Sequence, residues 1–183
     1  MDKIFEKGFM KIAITGAQST GKTTLLNALK EYIIDDPIFL DEVTRKVKER
    51  GFDINEDGGN MTQVLIMNSH VENILHEDSV MDRCALDGVV YTRWMYNKGL
   101  VEDWVMDYAE RVFSLLIDKY DKIFYLVPEF DIEDDGVRST DIDFRNEIVK
   151  IFNEYIVECE VPVIQITGSV KNRVNLIIEE ISK

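Results

Sequence analysis

A chain of 183 residues with 45% hydrophobic and 31% charged residues has the length and composition of one ordinary globular domain. It contains no apolar run near the roughly 20 residues that span a bilayer, and residues 1–7 lack the apolar core of a signal peptide. The net charge of −14, from 35 acidic and 21 basic residues, disfavours a protein that follows a nucleic-acid backbone, because such proteins normally present a basic face.

The two cysteines, Cys84 and Cys159, have neither the spacing of a zinc site nor that of a redox motif, so free thiols are expected. The free thiols, the lack of a signal-peptide core and the lack of a membrane-spanning run together predict a cytoplasmic protein with no membrane partner. The oligomeric state is left open, with a homodimer among the alternatives.

The first predicted strand, about 9–15, leads directly into a phosphate-binding motif. Residues 16–23 have the sequence GAQSTGKT, which matches the P-loop pattern G-x-x-x-x-G-K-T, and a helix is predicted over 22–34. A glycine-rich loop between a strand and a helix is the context in which this motif binds the phosphates of a nucleotide. A chance glycine turn is the alternative, and the flanking elements make it the weaker one.

Each P-loop residue has a predicted task. The two glycines allow backbone N–H groups to face a polyphosphate, and the helix adds its positive end. Lys22 is expected to reach the β- and γ-phosphates as a catalytic residue, and the Thr23 hydroxyl to hold Mg²⁺. We expect the following residues to contact ATP: Gly16, Gln18, Ser19, Thr20, Gly21, Lys22, Thr23 and Thr24.

The second predicted strand, 38–40, ends at two carboxylates, Asp41 and Glu42. A hydroxyl that attacks a phosphoryl group needs a positioned carboxylate to accept its proton, so either residue is a candidate general base. The alternative is that one of them caps the helix predicted over 42–50. Arg45, one turn into that helix, is assigned to the acceptor site or to the solvated face.

The helix predicted over 62–77 carries Gln63 near its start. A side-chain amide can form paired hydrogen bonds with a nucleobase edge or a carboxamide, although an exposed position explains Gln63 equally well. His70 and His76 form no metal set, and we interpret them as structural histidines.

The third predicted strand, 79–81, ends at Asp82 and Arg83. Asp82 is a candidate Mg²⁺ ligand, since that ion prefers oxygen, and Arg83 is a candidate clamp for a phosphate or a hydroxyl. A surface ion pair is the alternative for both. Asp87 is interpreted as the N-cap of a helix over 88–98, and Tyr91 in that helix either packs in the core or walls the acceptor pocket.

After a helix over 101–118 and a strand over 122–127, the polar segment 128–145 is predicted to be a lid. It includes Gly136, Arg138 and Arg145, and long loops in small domains are often functional. Closure of such a lid excludes water and brings arginines to the developing charge. A plain acidic surface loop is the alternative. A helix over 141–158, a strand over 162–166 and a helix over 169–181 complete the pattern.

Strands and helices thus alternate along the chain, which is typical of a parallel sheet covered on both faces. We predict an α/β protein with a three-layer P-loop NTPase fold, about five parallel strands and a lid. Residues 1–183 are expected to form a single P-loop kinase domain. Ligands of such sheets bind beyond the carboxyl ends of the strands, so the three strand-end motifs should converge on the P-loop.

From about residue 9 to 181 the sequence resembles the small P-loop kinases related to the bacterial nicotinamide riboside kinase domain and its AAA-28-type relatives. The resemblance is carried by residues 16–25, the Asp41-Glu42 strand end with Arg45, Asp82, and the stretches 135–139 and 144–145. The chain is also similar to deoxynucleoside and thymidylate kinases, although Cys84 after Asp82-Arg83 departs from their motifs.

The resemblance implies roles for several residues. Asp82 would hold Mg²⁺ and Arg83 would steady the phosphates, while Asp41 or Glu42 would be the base. Gln63 would lie near the base moiety of the acceptor, and Arg138 would be the lid arginine.

We therefore expect a Mg²⁺- and ATP-dependent kinase that phosphorylates a nucleoside- or nucleotide-like small molecule. The acceptor is expected to contact Gln63, Arg45, Asp82, Arg83, Tyr91 and Arg145. Two alternatives stay open: a kinase acting on a nucleic acid, which the acidic balance disfavours, and a switch in which nucleotide hydrolysis controls a partner.

Overall fold

The computed structural model describes residues 10–33, 37–129 and 141–183. Within these residues the strands are β1 (Lys11–Thr15), β2 (Ile38–Leu40), β3 (Ser79–Asp82), β4 (Lys122–Leu126) and β5 (Val163–Ile166). The helices are α1 (Lys22–Leu29), α2 (Val43–Glu49), α3 (Asn60–Asn73), α4 (Ala85–Asn97), α5 (Asp103–Leu116), α6 (Ile142–Glu158) and α7 (Val170–Ile181).

The strands form one sheet in the order β2-β3-β1-β4-β5, and every neighbouring pair is parallel. The central strand β1 pairs Ile14 with Asp82 of β3 and Thr15 with Tyr125 of β4. The carboxyl ends of all strands therefore lie at one edge, where the P-loop, the residues after β2 and the residues after β3 meet. The predicted α/β fold with a five-stranded parallel sheet is confirmed.

Side chains of successive strand residues point to opposite faces of a sheet. Alternate residues of each strand therefore pack into two apolar clusters, one on each face. Ile12 and Ile14 pack with α1 and α7, whereas Ala13 packs on the other face with α4, α5 and α6. The same alternation places Phe124 on the first face and Tyr125 on the second. Helices thus cover both faces, which confirms the three layers. A smaller apolar cluster joins α2 to α3 through Val43, Val47, Ile54 and Ile66.

Two boundaries differ from the predictions in ways that affect the site. Helix α4 begins at Ala85 rather than near residue 88, because Cys84 is its N-cap and Asp87 lies in its first turn. Asp87 therefore accepts the backbone N–H of Cys84 at 2.9 Å and is not itself the N-cap. Helix α1 ends at Leu29, followed by a turn, instead of continuing to residue 34.

The predicted lid, 128–145, lies mostly outside the described residues. Pro128 and Glu129 are described at its start, and Asp141 caps α6 at its end by accepting the N–H groups of Asp143 and Phe144. Arg138 lies outside the described residues, so its predicted role stays a prediction. Among the helices that the structure describes, none combines the length and the apolar character needed to cross a membrane.

Candidate active site

The loop between β1 and α1 has the backbone of an anion-binding turn. Gly16 has a φ of 140° and Gly21 a φ of 86°, conformations that favour glycine. A Cβ on Gly16 would also lie 2.7 Å from the carbonyl oxygen of Leu126, so a larger residue does not fit there. Ser19, with a φ of 57°, is buried in the same turn, and the Thr20 hydroxyl donates to the carbonyl of Ala17 at 3.0 Å.

Lys22 begins α1 and is buried against this loop. Its Nζ donates to the carbonyl oxygens of Gly16 and Ala17, both at 2.7 Å. Burial, followed by the nearby guanidinium of Arg83, lowers the pKa of Lys22 to about 7, against the opposing effect of the surrounding carboxylates. Thr23 is half-buried beside Lys22, whereas Thr24 is exposed.

A buried charge cluster lies between the ends of β2 and β3. Arg83 donates from Nε to Glu42 Oε1 at 2.8 Å and from Nη1 to Asp87 Oδ1 at 3.2 Å. Its φ of 73° is a conformation that non-glycine residues rarely adopt and that often occurs at functional sites. Asp87 also accepts the Thr15 hydroxyl at 2.6 Å. The cluster is therefore tied both to β1 and to the first turn of α4.

The two acidic residues after β2 have different environments. Glu42 is buried and Asp41 is exposed. Glu42 is the N-cap residue of α2 by position, but its side chain accepts no hydrogen bond from the backbone N–H groups of the helix. It accepts hydrogen bonds from Arg83 and from Arg45 of the same helix, at 3.3 Å. Burial acts to raise the pKa of Glu42, but Arg83 and Lys22 outweigh it and lower that pKa to about 2. One of the two acids, Glu42, therefore occupies the predicted N-cap position, but without a capping hydrogen bond through its side chain.

Asp82 ends β3 with its carboxylate buried. Its Oδ1 has no hydrogen-bond partner within the part of the chain that the structure describes. Burial, and then the charge of Glu42, raise the pKa of Asp82 to about 6. A buried carboxylate oxygen without a donor suits a cation, so the residues fit Mg²⁺. The described residues hold no cluster of three or more His, Cys, Asp or Glu side chains that could bind a metal ion.

A small cleft lies beside this cluster, between α3 and α4, and encloses about 20 Å³ of free space. Side chains from both helices, from the charge cluster and from the neighbouring α2 and 55–57 turn line it: Thr44, Asn55, Gln63, Ile66, His70, Arg83, Asp87, Gly88 and Tyr91. Gly88 lets the two helices approach closely, because a Cβ there would lie 2.3 Å from Met67 Sδ.

Three of the predicted acceptor residues, Gln63, Arg83 and Tyr91, line this cleft. Gln63 is buried, and its Oε1 accepts the hydroxyl of Thr92 at 3.0 Å, so an exposed helix position is not its role. Tyr91 donates its hydroxyl to Gln18 Oε1 of the P-loop at 3.3 Å, and its ring lies 5.4 Å from the Arg83 guanidinium. Tyr91 therefore connects the cleft to the P-loop.

The other three predicted residues, Arg45, Asp82 and Arg145, are not among the residues that line the cleft. The side chain of Arg45 is 39% exposed and bonds Glu42 of the charge cluster. Arg145 lies in the first turn of α6.

The sequence motifs did not single out Arg173, which joins three loops at the same edge of the sheet. It is 2% exposed, and its guanidinium donates to the carbonyl of Thr20 at 2.7 Å, to the carbonyl of Gly168 at 2.9 Å and to Glu129 at 2.6 Å. Arg173 lies on the same face of α7 as Val174, Ile177 and Ile181. A charged residue on an apolar, buried face needs a partner, so this pattern in the sequence could have identified Arg173 as a buried, paired residue.

Comparisons with known proteins agree with this architecture. The sequence model of the AAA_28 family, described as an AAA domain, matches residues 11–173. No curated protein matches the sequence significantly.

Solved structures of kinases share the fold at low sequence identity. Deoxyadenosine kinase from M. mycoides, with the products dCMP and dCDP bound, has a TM-score of 0.71 at 15% identity, over 94% of this chain and 98% of that one. The NadR protein in complex with NR has a TM-score of 0.73 at 20% identity, over 94% of this chain. The chain spans about half of NadR, 51% of its length. The fold is therefore that of kinase-like P-loop NTPases.

Proposed function

The chain belongs to the AAA_28 family of AAA domains, and we propose that it is a P-loop kinase. In this proposal it transfers the γ-phosphoryl group of ATP, with Mg²⁺, to a hydroxyl or phosphate of a nucleoside- or nucleotide-like small molecule. One observation carries the proposal: Arg83 and Asp87 of the buried charge cluster line the cleft, and Tyr91 on its wall donates to Gln18 of the P-loop at 3.3 Å.

The nucleotide is proposed to bind along residues 16–24. The backbone N–H groups of the glycine loop and the first turn of α1 attract its phosphates, and Lys22 would exchange its carbonyl partners for the β- and γ-phosphates. Mg²⁺, when bound, neutralises charge that develops on the transferred group. Thr23 and Asp82 are the residues proposed to hold this ion. The Oδ1 atom of Asp82 is buried without a hydrogen-bond partner among the described residues.

The acceptor is proposed to enter the cleft with its reactive group toward Glu42. The strong ion pair with Arg83 keeps Glu42 ionised and fixed in one orientation. Glu42 would orient the attacking hydroxyl and accept its proton, and positioning of this kind supplies much of the rate of phosphoryl transfer. Arg83 would stabilise negative charge near the transferred group. Gln63 and Tyr91 would contact the rest of the acceptor.

The two structural neighbours support a nucleoside-like acceptor, because one was solved with dCMP and dCDP and the other with NR. The net charge of −14 disfavours the alternative of a nucleic-acid substrate, which would have to approach a strongly acidic molecule. A hydrolytic switch needs no acceptor site, and the cleft between α3 and α4 supports the kinase over the switch.

The proposal is tested by measuring ATP consumption with Mg²⁺ in the presence of nucleosides, nucleoside monophosphates, nicotinamide riboside or short DNA. We expect one small molecule to stimulate turnover and to appear as a phosphorylated product by mass spectrometry. Stimulation by DNA alone would favour the nucleic-acid kinase. A slow hydrolysis that no compound stimulates would favour the switch and contradict the proposal.

A further inference from the structure

His70 is a fully buried histidine that the proposed mechanism does not use. It lies on α3, its side chain is 0% exposed, and it lines the cleft together with Gln63 and Gly88. Neither Nδ1 nor Nε2 has a hydrogen-bond partner among the residues that the structure describes. Buried polar atoms are almost always paired, so two unpaired nitrogens on a cleft wall indicate a partner that enters the cleft.

The protonation state of His70 limits what that partner can be. Burial, and to a smaller extent the nearby Arg83, lower the pKa of His70 to about 4, although Asp87 acts in the opposite direction. The imidazole is therefore neutral near pH 7 and offers one donor and one acceptor. A neutral ring suits an uncharged polar group, such as an amino, keto or amide group on a heterocycle, rather than a phosphate.

The position of His70 relative to Gln63 defines one wall of the cleft. The two residues are seven positions apart on α3, so they lie on the same face, about 10.5 Å apart along the helix axis at 1.5 Å per residue. The charged Arg83 and Asp87, which follow β3, line the same cleft. The cleft therefore combines charged groups from the end of β3 and the start of α4 with uncharged hydrogen-bonding groups along α3.

We propose that His70 determines acceptor specificity by forming a hydrogen bond with the uncharged polar edge of the acceptor's heterocyclic ring, at the end of the α3 wall away from Gln63. This inference rests on the proposed kinase function for its substrate class, a nucleoside-like molecule with a polar heterocycle. His70 touches the acceptor but not the reacting atoms, so it changes recognition and not the chemical step.

The first test compares His70→Phe, which keeps a planar ring without nitrogens, with His70→Gln, which keeps a donor and an acceptor. His76→Phe, at an exposed position after α3, is the matched control. With deoxyadenosine, deoxyguanosine, deoxycytidine, thymidine and nicotinamide riboside as acceptors, His70→Phe should raise KM for the preferred compound about 10- to 100-fold, the effect of one lost buried hydrogen bond. KM for ATP should hardly change, and His70→Gln should recover part of the loss. An unchanged acceptor KM in His70→Phe would overturn the proposal.

A second test does not depend on activity or on the folding of a variant. The chain has two histidines, so the imidazole signals of the ¹³C-labelled wild-type protein can be followed by NMR while the same five nucleosides are added without ATP. We expect the His70 signals to shift and those of His76 to stay.

The two tests separate this inference from the proposed function. If no nucleoside is phosphorylated but one of them shifts the NMR signals of His70, the kinase proposal fails and the binding role of His70 stands. If a phosphorylated nucleoside leaves the His70 signals unchanged, the His70 role fails and the kinase proposal stands. Absence of both turnover and shift would overturn both.

Discussion

Two neighbouring carboxylates, Asp41 and Glu42, follow β2, and only one of them enters the charge cluster. Glu42 is buried and bonded to Arg83 at 2.8 Å, whereas Asp41 is exposed. If Glu42 positions the attacking hydroxyl, Glu42→Gln should lower kcat by about 10²- to 10⁴-fold, the usual contribution of a general base, and leave KM for ATP nearly unchanged. Steady-state kinetics with the acceptor found in the screen measures both constants.

Asp41→Asn is the matched control for that change, since it removes the adjacent charge without touching Arg83. Its kcat should stay close to that of the wild type. Circular dichroism and urea unfolding of both variants separate lost chemistry from lost structure. Equal kcat values in Glu42→Gln and the wild type would remove Glu42 from the catalytic role.

The buried imidazole of His70 predicts a pH dependence of stability. The pKa of His70 is about 4 in the folded protein and about 6.5 when unfolded, so between these values the unfolded chain binds more protons. Stability linked to His70 is therefore present above about pH 6.5 and is lost as the pH falls toward 4. The free energy of unfolding of the wild type should drop between pH 7 and pH 5 by about 2 kcal/mol more than that of His70→Gln.

Urea denaturation at the two pH values measures this difference, and the comparison with a variant cancels the titration of other groups such as Asp82. His76→Gln, at an exposed position, should keep the wild-type pH dependence. If the free energy of unfolding changed equally with pH in the wild type and in His70→Gln, the imidazole would not be buried in its neutral form.

Helix α7 supports the P-loop although it contains no recognised motif. Its Arg173 bonds the Thr20 carbonyl of the P-loop and the Gly168 carbonyl before α7. Arg173→Met keeps the apolar stem but leaves both carbonyls without this donor. We expect the free energy of unfolding to fall by about 2–3 kcal/mol and KM for ATP to rise about tenfold, because the P-loop loses a fixed support.

The control is Lys171→Met, which removes a positive charge from the exposed face of the same helix. It should change neither stability nor KM for ATP appreciably, as is usual for surface substitutions. Urea unfolding and ATP kinetics of the two variants give the comparison. A loss of stability in Arg173→Met with an unchanged KM would assign Arg173 a purely structural role.

The elements were predictable because their signals are local. The apolar strands, the glycine loop and the strand-end acids at 41–42 and 82–83 are all visible as short patterns, and parallel pairing then brings them to one edge. The start of α4 was missed because Cys84 is a weak capping signal and Asp87 resembles a cap. Arg173 was missed because its partners, Thr20 and Glu129, are distant in sequence and meet it only after the sheet has formed.

His70 is a second residue whose environment could not be predicted from the sequence. The sequence gives no reason to distinguish it from His76, and both were interpreted as structural histidines. The difference arises from packing: His70 lies against Gly88 on α4, where a Cβ would be 3.3 Å from its Cδ2. Burial of both nitrogens on a cleft wall is a property of the α3–α4 contact, so no local pattern could reveal it.

At the scale of the whole molecule, the site lies where the two apolar layers meet the edge of the sheet. The P-loop is anchored by α1 and α7 on one face, whereas the cleft proposed for the acceptor is formed by α3 and α4 on the other. The charge cluster connects them through Thr15, which ends β1 and bonds Asp87. Ligands in the two sites would therefore approach each other across the end of β1, as phosphoryl transfer between them requires.

The charge of the whole molecule makes the P-loop lysine especially important for nucleotide binding. A net charge of −14 repels an anionic nucleotide, so binding must depend on local groups: the loop N–H groups, the start of α1, and Lys22. We expect MgATP at about 100 times its Kd to stabilise the wild type by about 2.7 kcal/mol. For a chain of this length that raises Tm by about 5–10 °C.

Lys22→Ala should lose most of that increase in Tm, because the ligand stabilises only the state that binds it. Lys30→Ala, at the exposed end of α1, removes the same charge from the whole molecule and should keep the full increase. Differential scanning calorimetry with and without MgATP measures both variants in the same buffer. An equal increase in Lys22→Ala and Lys30→Ala would mean that overall charge, rather than the P-loop, controls nucleotide binding, and the phosphate site would then have to be sought elsewhere.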